Sequence, residues 1–255
     1  MPTLRPSRDF RCCFPDLAAG DLLLGVLPLR PGEEVKLLDL LERGVGLFPP
    51  ALAQLLSRSK AAQAEVLGAF MLPGTVVART PAELARLVSE PLLRGPVVTK
   101  RDQAHLGLGV GLWPSLEALL SLSSLGQLPF PLVIQPFAEG VRDLRVVLAG
   151  EAAEAYERSN PFSFRKNLFQ GGSSQSLALS PSTLAFCRRV MDRGRFPYAI
   201  LDLLASPGGG LYLSEIGLKG GLTGSRLGQE GFRAQVQRLE EEFCRTWAGS
   251  STTPI

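Results

Sequence analysis

Histidine and cysteine are scarce in this chain, and their scarcity removes several classes of chemistry. The single histidine, His105, cannot build a multi-histidine metal centre. A Ser-His-Asp hydrolase would rest on that one residue, with no Gly-x-Ser-x-Gly elbow to support it. The four cysteines, Cys12, Cys13, Cys187 and Cys244, lack metal-ligand spacing, so a reduced, cytoplasmic setting is expected. Long hydrophobic runs are missing too. Residues 22–29 are too few to span a bilayer and precede no small-residue cleavage site; they read as a buried strand, and no membrane partner is expected. Neither sign of charge dominates: 27 Lys and Arg face 24 Asp and Glu, and a net +3 argues against a dedicated nucleic-acid binder.

What remains is 255 residues, 45% apolar and 20% charged, ample to bury a core. The most informative stretch is YAILDLLASPGGGLYLSEIG, residues 198–217. Two apolar runs, 199–204 and 211–216, flank Ser-Pro-Gly-Gly-Gly and read as a hairpin. Pairing symmetric about Gly208 and Gly209 sets Asp202 directly opposite Glu215 on one face of the sheet. Like charges so placed repel by up to roughly 1 kcal/mol when exposed, and more when buried. A bound cation, a neighbouring Lys or Arg, or a shared proton must offset that. The alternative is a surface hairpin whose acids splay into water. Carboxylate oxygens suit a hard divalent ion such as magnesium.

Along the chain, residues 1–20 read as irregular, 22–29 as a strand, and 33–42 as a helix with Val35, Leu37, Leu38 and Leu41 on its apolar side. A short strand, 45–48, precedes a helix over 51–67 that carries Arg58 and Lys60 on its surface. Thr80 caps a helix over 81–89, with Pro81 in its first turn. A strand at 97–100, a helix at 114–122 and a strand at 132–135 follow. The second half opens with a hairpin about Ala149-Gly150, which pairs Arg145 with Glu154 and Asp143 with Tyr156. Alternation then places Asp143, Arg145, Tyr156 and Arg158 on one polar face. Residues 160–174 are aperiodic; Arg165, Lys166 and Asn167 there are donors suited to an anion, or an ordinary solvated loop. Helices at 182–192 and 232–247 complete the pattern, the last burying Phe232, Val236, Leu239, Phe243 and Trp247. Lys100 ends its strand and opens a turn containing Gly107 and Gly109. That order suits polyphosphate, though it is neither a P-loop nor a Gly-x-Gly-x-x-Gly fingerprint, and a plain loop reads equally well.

The order of these parts resembles the ATP-grasp superfamily, and within it the RimK-like branch of glutamate ligases. Lys60, Lys100 with its glycine loop, Val-Ile-Gln-Pro-Phe, Asp143-Leu-Arg145, Tyr-Glu-Arg158, Phe-Arg165-Lys-Asn167-Leu, Gly171-Gly172, Asp202 and Glu215 carry the likeness, from about Phe48 to Gly228. The resemblance implies an α+β ATP-grasp fold: two α+β subdomains enclosing a nucleotide cleft over residues 49–250, hinged near 133–138, after a short N-terminal α/β piece over 1–48. It implies ATP with Lys60 and Lys100 on its phosphates and residues 101–110, with Gly107 and Gly109, as a lid. Gln135, Pro136 and Phe137 would meet adenine, the Phe137 amide as a donor, and Asp143 would serve the ribose or order the hinge. Arg158, Arg165 and Asn167 would hold the transferred phosphate, and Asp202 and Glu215 would ligate magnesium. The implied reaction joins small-molecule or peptide carboxylate and amine substrates through an acyl phosphate; the sequence leaves a monomer and a homo-oligomer both open. The departures are Gly217, where the family carries Asn, a short N-terminal portion, and Lys219 in a loop where Ser-Pro-Gly-Leu is expected. Lys219 reads either as a replacement for charge or as an ordinary loop lysine. The competing reading is a degenerate ATP-grasp protein that binds nucleotide or a partner without turnover.

Overall fold

The computed structural model describes residues 4–90, 93–103, 109–166 and 171–250. The first of its three sheets is parallel and joins β1 (Leu4–Pro6), β2 (Leu22–Leu24) and β3 (Gly46–Phe48) in that order. Residues 4–16 are thus ordered rather than irregular: α1 (Phe10–Cys13) sits between two 3-10 turns because Phe10 and Cys13 are buried in the local core. β2 is shorter than expected, since the Leu27 amide leaves the sheet and donates to the Gln54 side chain at 2.9 Å. In α2 (Val35–Glu42) the buried residues are Leu37 and Leu40, while Val35, Leu38 and Leu41 are exposed. Lys36, Asp39 and Glu42 share one side of this helix and the apolar arc runs from Leu40 through Leu37 and Leu41 to Leu38, so only the Leu37–Leu40 edge of the arc is packed against the core.

The expected helix over 51–67 is two, α3 (Ala51–Leu56) and α4 (Lys60–Leu67). Ser59 ends the run by capping α4: its hydroxyl accepts from the Ala62 amide at 3.0 Å, the usual satisfaction of an orphan helix donor. Its neighbour Lys60 is consequently turned inward and buried, not set on the surface.

β4 (Val76–Ala78) leads into α5 (Pro81–Ser89), where Thr80 caps as the sequence indicated. β5 (Val97–Arg101) turns back through β6 (Val110–Trp113), a strand that Val-Gly-Leu-Trp, with no apolar alternation, does not announce. α6 (Leu116–Ser124) and β7 (Leu132–Pro136) complete an antiparallel sheet of order β4-β7-β5-β6. Its core holds Leu84, Val97, Leu119 and Ile134, all fully buried.

The larger antiparallel sheet contains β8 (Arg142–Ala149), β9 (Ala152–Ser159), β10 (Ser173–Leu177), β11 (Tyr198–Ala205) and β12 (Leu211–Gly217), in the order β10-β9-β8-β11-β12. β10 starts inside the stretch expected to be loop. α7 (Pro181–Gly194) and α8 (Gly228–Ser250) bring Val190 and Phe232 onto the apolar side of this sheet. The β8–β9 turn is Gly150-Glu151, with Gly150 at φ +56, so the ladder pairs Arg145 with Tyr156 and Asp143 with Arg158. The expected pairing was two residues off. A shift of two keeps every side chain on its face, so the polar side survives the correction.

Candidate nucleotide and ligase site

Asp102 clasps the start of α4 to the end of β5. One of its oxygens accepts from Ser59 Oγ and the other from the Ala61 amide, both at 3.1 Å. A carboxylate there also meets the positive end of the helix dipole. The clasp sets Lys60, the first residue of α4, beside Lys100, two residues before Asp102. Lys60 Nζ pairs with Glu215 Oε1 at 3.1 Å. Lys100 Nζ donates to the carbonyl and hydroxyl oxygens of Ser214, each at 2.9 Å, and so spans from the four-stranded sheet to the five-stranded one. Burial lowers the Lys100 pKa to about 8; Glu215 opposes the fall and Lys60 adds to it.

Opposite the lysines, strand register writes a polar row across the large sheet: Glu215, Asp202, Arg145, Tyr156 and Ser176 are successive partners. The expected Asp202–Glu215 pairing is present, and a bulge after Asp202 displaces only what lies beyond it. Arg145 grips Asp202 with two parallel bonds, Nε to Oδ1 at 2.7 Å and Nη2 to Oδ2 at 2.8 Å. Arg158 Nη2 reaches the same Oδ2 at 3.0 Å, and reaches Asp143 Oδ1 at 2.6 Å from the next row. Burial alone would raise the Asp202 pKa, but the two guanidiniums outweigh it and hold this carboxyl well below its usual range. At Asp143 burial wins over Arg158, and the pKa is pushed up to about 6. The repulsion built into the hairpin is therefore offset by neighbouring cations. Lys60, Lys100, Arg145 and Arg158 outnumber Asp143, Asp202 and Glu215 by one, which leaves the site receptive to an anion.

The donor chemistry fits magnesium in part. Asp202 and Glu215 offer hard carboxylate oxygens from directly paired positions on one face. Gly217, however, contributes no third oxygen. Among the described residues no three of His, Cys, Asp and Glu cluster as ligands, so phosphate oxygens or water would have to complete a shell. Both Asp202 oxygens are engaged, and a metal would take one in exchange for Arg158.

The remaining expected residues fall around this centre. Arg165 does not join the carboxylates: its Nε donates to the Val110 carbonyl at 3.1 Å, and its guanidinium lies over the Phe164 ring at 4.4 Å. Phe164 in turn meets the Phe137 ring edge-on at 6.5 Å, so this loop crosses from β9 to the end of β7. Gln135 is buried and donates to Thr75 Oγ1 at 3.0 Å. The Phe137 amide is not the free donor expected, because it bonds the Pro96 carbonyl at 2.9 Å. That bond makes 96 and 137 a hydrogen-bonded pair, and ladder alternation then turns the Pro136 carbonyl away from β5. The Gly109 carbonyl accepts from the Arg101 amide at 2.7 Å and closes the β5–β6 turn. Gly107, His105 and Asn167 lie outside the described residues.

Sequence reasoning missed Asp102, Ser214 and the part played by Arg145. Only Arg145 carried a signal, since Asp143-Leu-Arg145 already put two opposite charges on one face.

Two antiparallel sheets facing each other across buried lysines and a carboxylate row form the ATP-grasp fold. The structure superposes on an ADP complex of N5-carboxyaminoimidazole ribonucleotide synthetase with a TM-score of 0.62 at 13% identity, covering 85% of this chain and 60% of that one. It also superposes on the D-alanine-D-alanine ligase of Helicobacter pylori with a TM-score of 0.57 at 20% identity, covering 86% and 72%. The chain thus spans less than two thirds of the length of the first of these. More narrowly, the chain belongs to the RimK-like ATP-grasp domain family, whose model matches residues 52–231. A relative named "Probable alpha-L-glutamate ligase" in Pseudomonas paraeruginosa is 26% identical over 248 residues, 93% of this chain and 78% of that protein.

Proposed function

We propose that this protein is an ADP-forming carboxylate–amine ligase that adds glutamate or another amino acid to an amine acceptor. A substrate carboxylate oxygen attacks the γ-phosphorus of ATP, giving an acyl phosphate and ADP. The amine then attacks the acyl carbon, phosphate leaves, and the amine loses a proton. The observation that carries this reading is the meeting of Lys60 and Lys100 with the Glu215–Asp202–Arg145 row, four cations around three carboxylates between two sheets. Phosphoryl transfer of this kind needs positioned positive charge rather than a covalent intermediate on the enzyme.

In this reading Lys60 and Lys100 neutralise ATP phosphate oxygens. Arg158, hydrogen-bonded to Asp202, turns to the phosphate in transit, and Arg165 and Asn167 serve the same phosphate. Gln135 and Pro136 border the adenine, and Asp143 holds Arg158 in place. A divalent cation, when bound to Asp202 and Glu215, would add charge neutralisation at the phosphates. The division into an N-terminal piece over 1–48 and an ATP-grasp unit over 49–250 goes with the same proposal. So does a reduced, cytoplasmic setting, which suits the four free thiols.

The test is release of ADP and phosphate from purified protein with magnesium and a panel of carboxylates and amines. Turnover that depends on both substrates, and is lost in Asp202→Asn and Glu215→Gln, supports the ligase. Nucleotide binding with no turnover across the panel supports a degenerate ATP-grasp protein instead.

A further inference from the structure

We propose that Tyr156 is a further binding residue of this site, its hydroxyl donating to an oxygen of the phosphoryl group in transit. This rests on the ligase reading and adds a neutral donor to the cations already named.

Tyr156 is 1% exposed, and its hydroxyl is buried with no hydrogen-bond partner among the described residues. Buried hydroxyls are nearly always paired, and one left alone is costly, so this one calls for a reason. Register sets Tyr156 in the polar row between Arg145 on β8 and Ser176 on β10, and the strand period of two puts Arg158 on the same face. Arg145 does not satisfy the hydroxyl. Its guanidinium is directed at both Asp202 oxygens and at the Gly221 carbonyl, and although its charge draws the phenol pKa down, no bond of hydrogen-bonding geometry joins the two. Burial outweighs that pull and raises the pKa, so the hydroxyl keeps its proton as a donor.

The segment after β12 holds the ring. The Gly221 carbonyl ties this segment to Arg145 at 2.7 Å, and Glu154 ties it to β9, one oxygen accepting from Ser225 Oγ and the other from the Arg226 amide at 3.1 Å. Between these anchors Gly224, at φ +92, passes so close that a Cβ there would stand 3.3 Å from the Tyr156 ring and collide with Ser174 Oγ. The phenol is thus oriented before any ligand arrives, which spares the ordering cost of binding. Arg158, whose charge also acts on the phenol, is the residue that turns to the phosphate in the ligase reading. A tetrahedral anion held there has more oxygens than one guanidinium covers, and Tyr156 supplies the donor beside it.

The test compares equilibrium binding of the non-hydrolysable β,γ-imido analogue of ATP with that of ADP, each with magnesium, to the full chain and to Tyr156→Phe, which removes only the hydroxyl. The ratio of analogue affinity to ADP affinity should fall at least about tenfold in the variant, the worth of a hydrogen bond to a charged group, with ADP affinity the same. The urea midpoint should stay level or rise, because removing a hydroxyl without a partner strands nothing. An unchanged ratio overturns the proposal; if the midpoint falls with it, the hydroxyl serves the fold or a buried water instead. A Tyr156-dependent ratio in a protein with no turnover on any carboxylate–amine pair sinks the ligase reading and leaves the contact standing.

Discussion

Replacing Arg145 by methionine should be among the most damaging single changes in this protein, and the reason is Asp202. That carboxylate is buried, and three of its contacts are guanidinium nitrogens at 2.7, 2.8 and 3.0 Å. Two of the three belong to Arg145. Methionine keeps the apolar stem but leaves an ionised carboxylate with Arg158 alone, which must also serve Asp143. Breaking a buried pair on one side costs about 3–5 kcal/mol. Against a typical stability of about 5–15 kcal/mol, that is a large fraction. Removing both partners in Arg145→Met, Asp202→Leu should cost far less than the sum, because no unpaired charge is then left inside. A double-mutant cycle in urea, read by circular dichroism and fluorescence, measures the coupling directly. It should be at least about 2 kcal/mol and favourable. Single variants that each lose under about 1 kcal/mol, or that add without coupling, would show that Asp202 is solvated and that the pair is ornamental.

Other consequences can be measured separately. Lys100→Met should weaken ADP binding by at least about tenfold, since loss of a charge-assisted contact is worth roughly 1.5–3 kcal/mol; calorimetry reads it, and an unchanged affinity would remove Lys100 from the phosphate site. Because the folded-state Lys100 pKa lies near 8, below its ordinary value, wild-type ADP affinity should fall as pH rises through about 8. The sign for stability is opposite: the unfolded chain binds more protons between about 8 and 10.5, so this lysine's contribution to stability improves over that range. A protein whose ADP affinity is flat to pH 9.5 contradicts a charged Lys100 on phosphate. Gln63→Leu should cost about 2–4 kcal/mol in the same urea assay, since it strands the amide and carbonyl of Ile216, each an expensive group to leave unpaired. Gly217→Asn should make ADP binding more dependent on manganese or magnesium while lowering stability by about 1–3 kcal/mol through crowding of the loop. No change in metal dependence would indicate that position 217 does not face the cation.

Much of the site was legible because strand geometry has few degrees of freedom. A glycine turn between two apolar runs nearly determines which residues pair, and Asp202 did meet Glu215. The β8–β9 hairpin shows the limit. Moving the turn from Ala149-Gly150 to Gly150-Glu151 changed every partner and no face. Helices were less forgiving. The apolar arc of α2 is wider than the edge it buries, so the pattern names the side but not the stripe, and the apolar period runs unbroken through Ser57-Arg58-Ser59, where the Ser59 cap divides two helices. Asp102 and Ser214 could not be found locally, because each matters through a partner more than forty positions away in sequence or by long-range packing. The Phe137 amide was misjudged for a similar reason: its partner is the Pro96 carbonyl, on the segment entering β5.

The Gln63 side chain does something besides filling space under β12. That strand is the last in its sheet, and a row of free amides and carbonyls along such a border invites pairing with a passing chain. Here the carboxamide imitates one residue of an absent strand, its oxygen accepting from the Ile216 amide at 3.0 Å and its nitrogen donating to the Ile216 carbonyl at 2.8 Å. A helix thereby plugs the border at the position next to Glu215. The same two bonds that steady the carboxylate row make this protein harder to recruit into sheet-to-sheet aggregation, and loss of Gln63 should surface first as turbidity on warming.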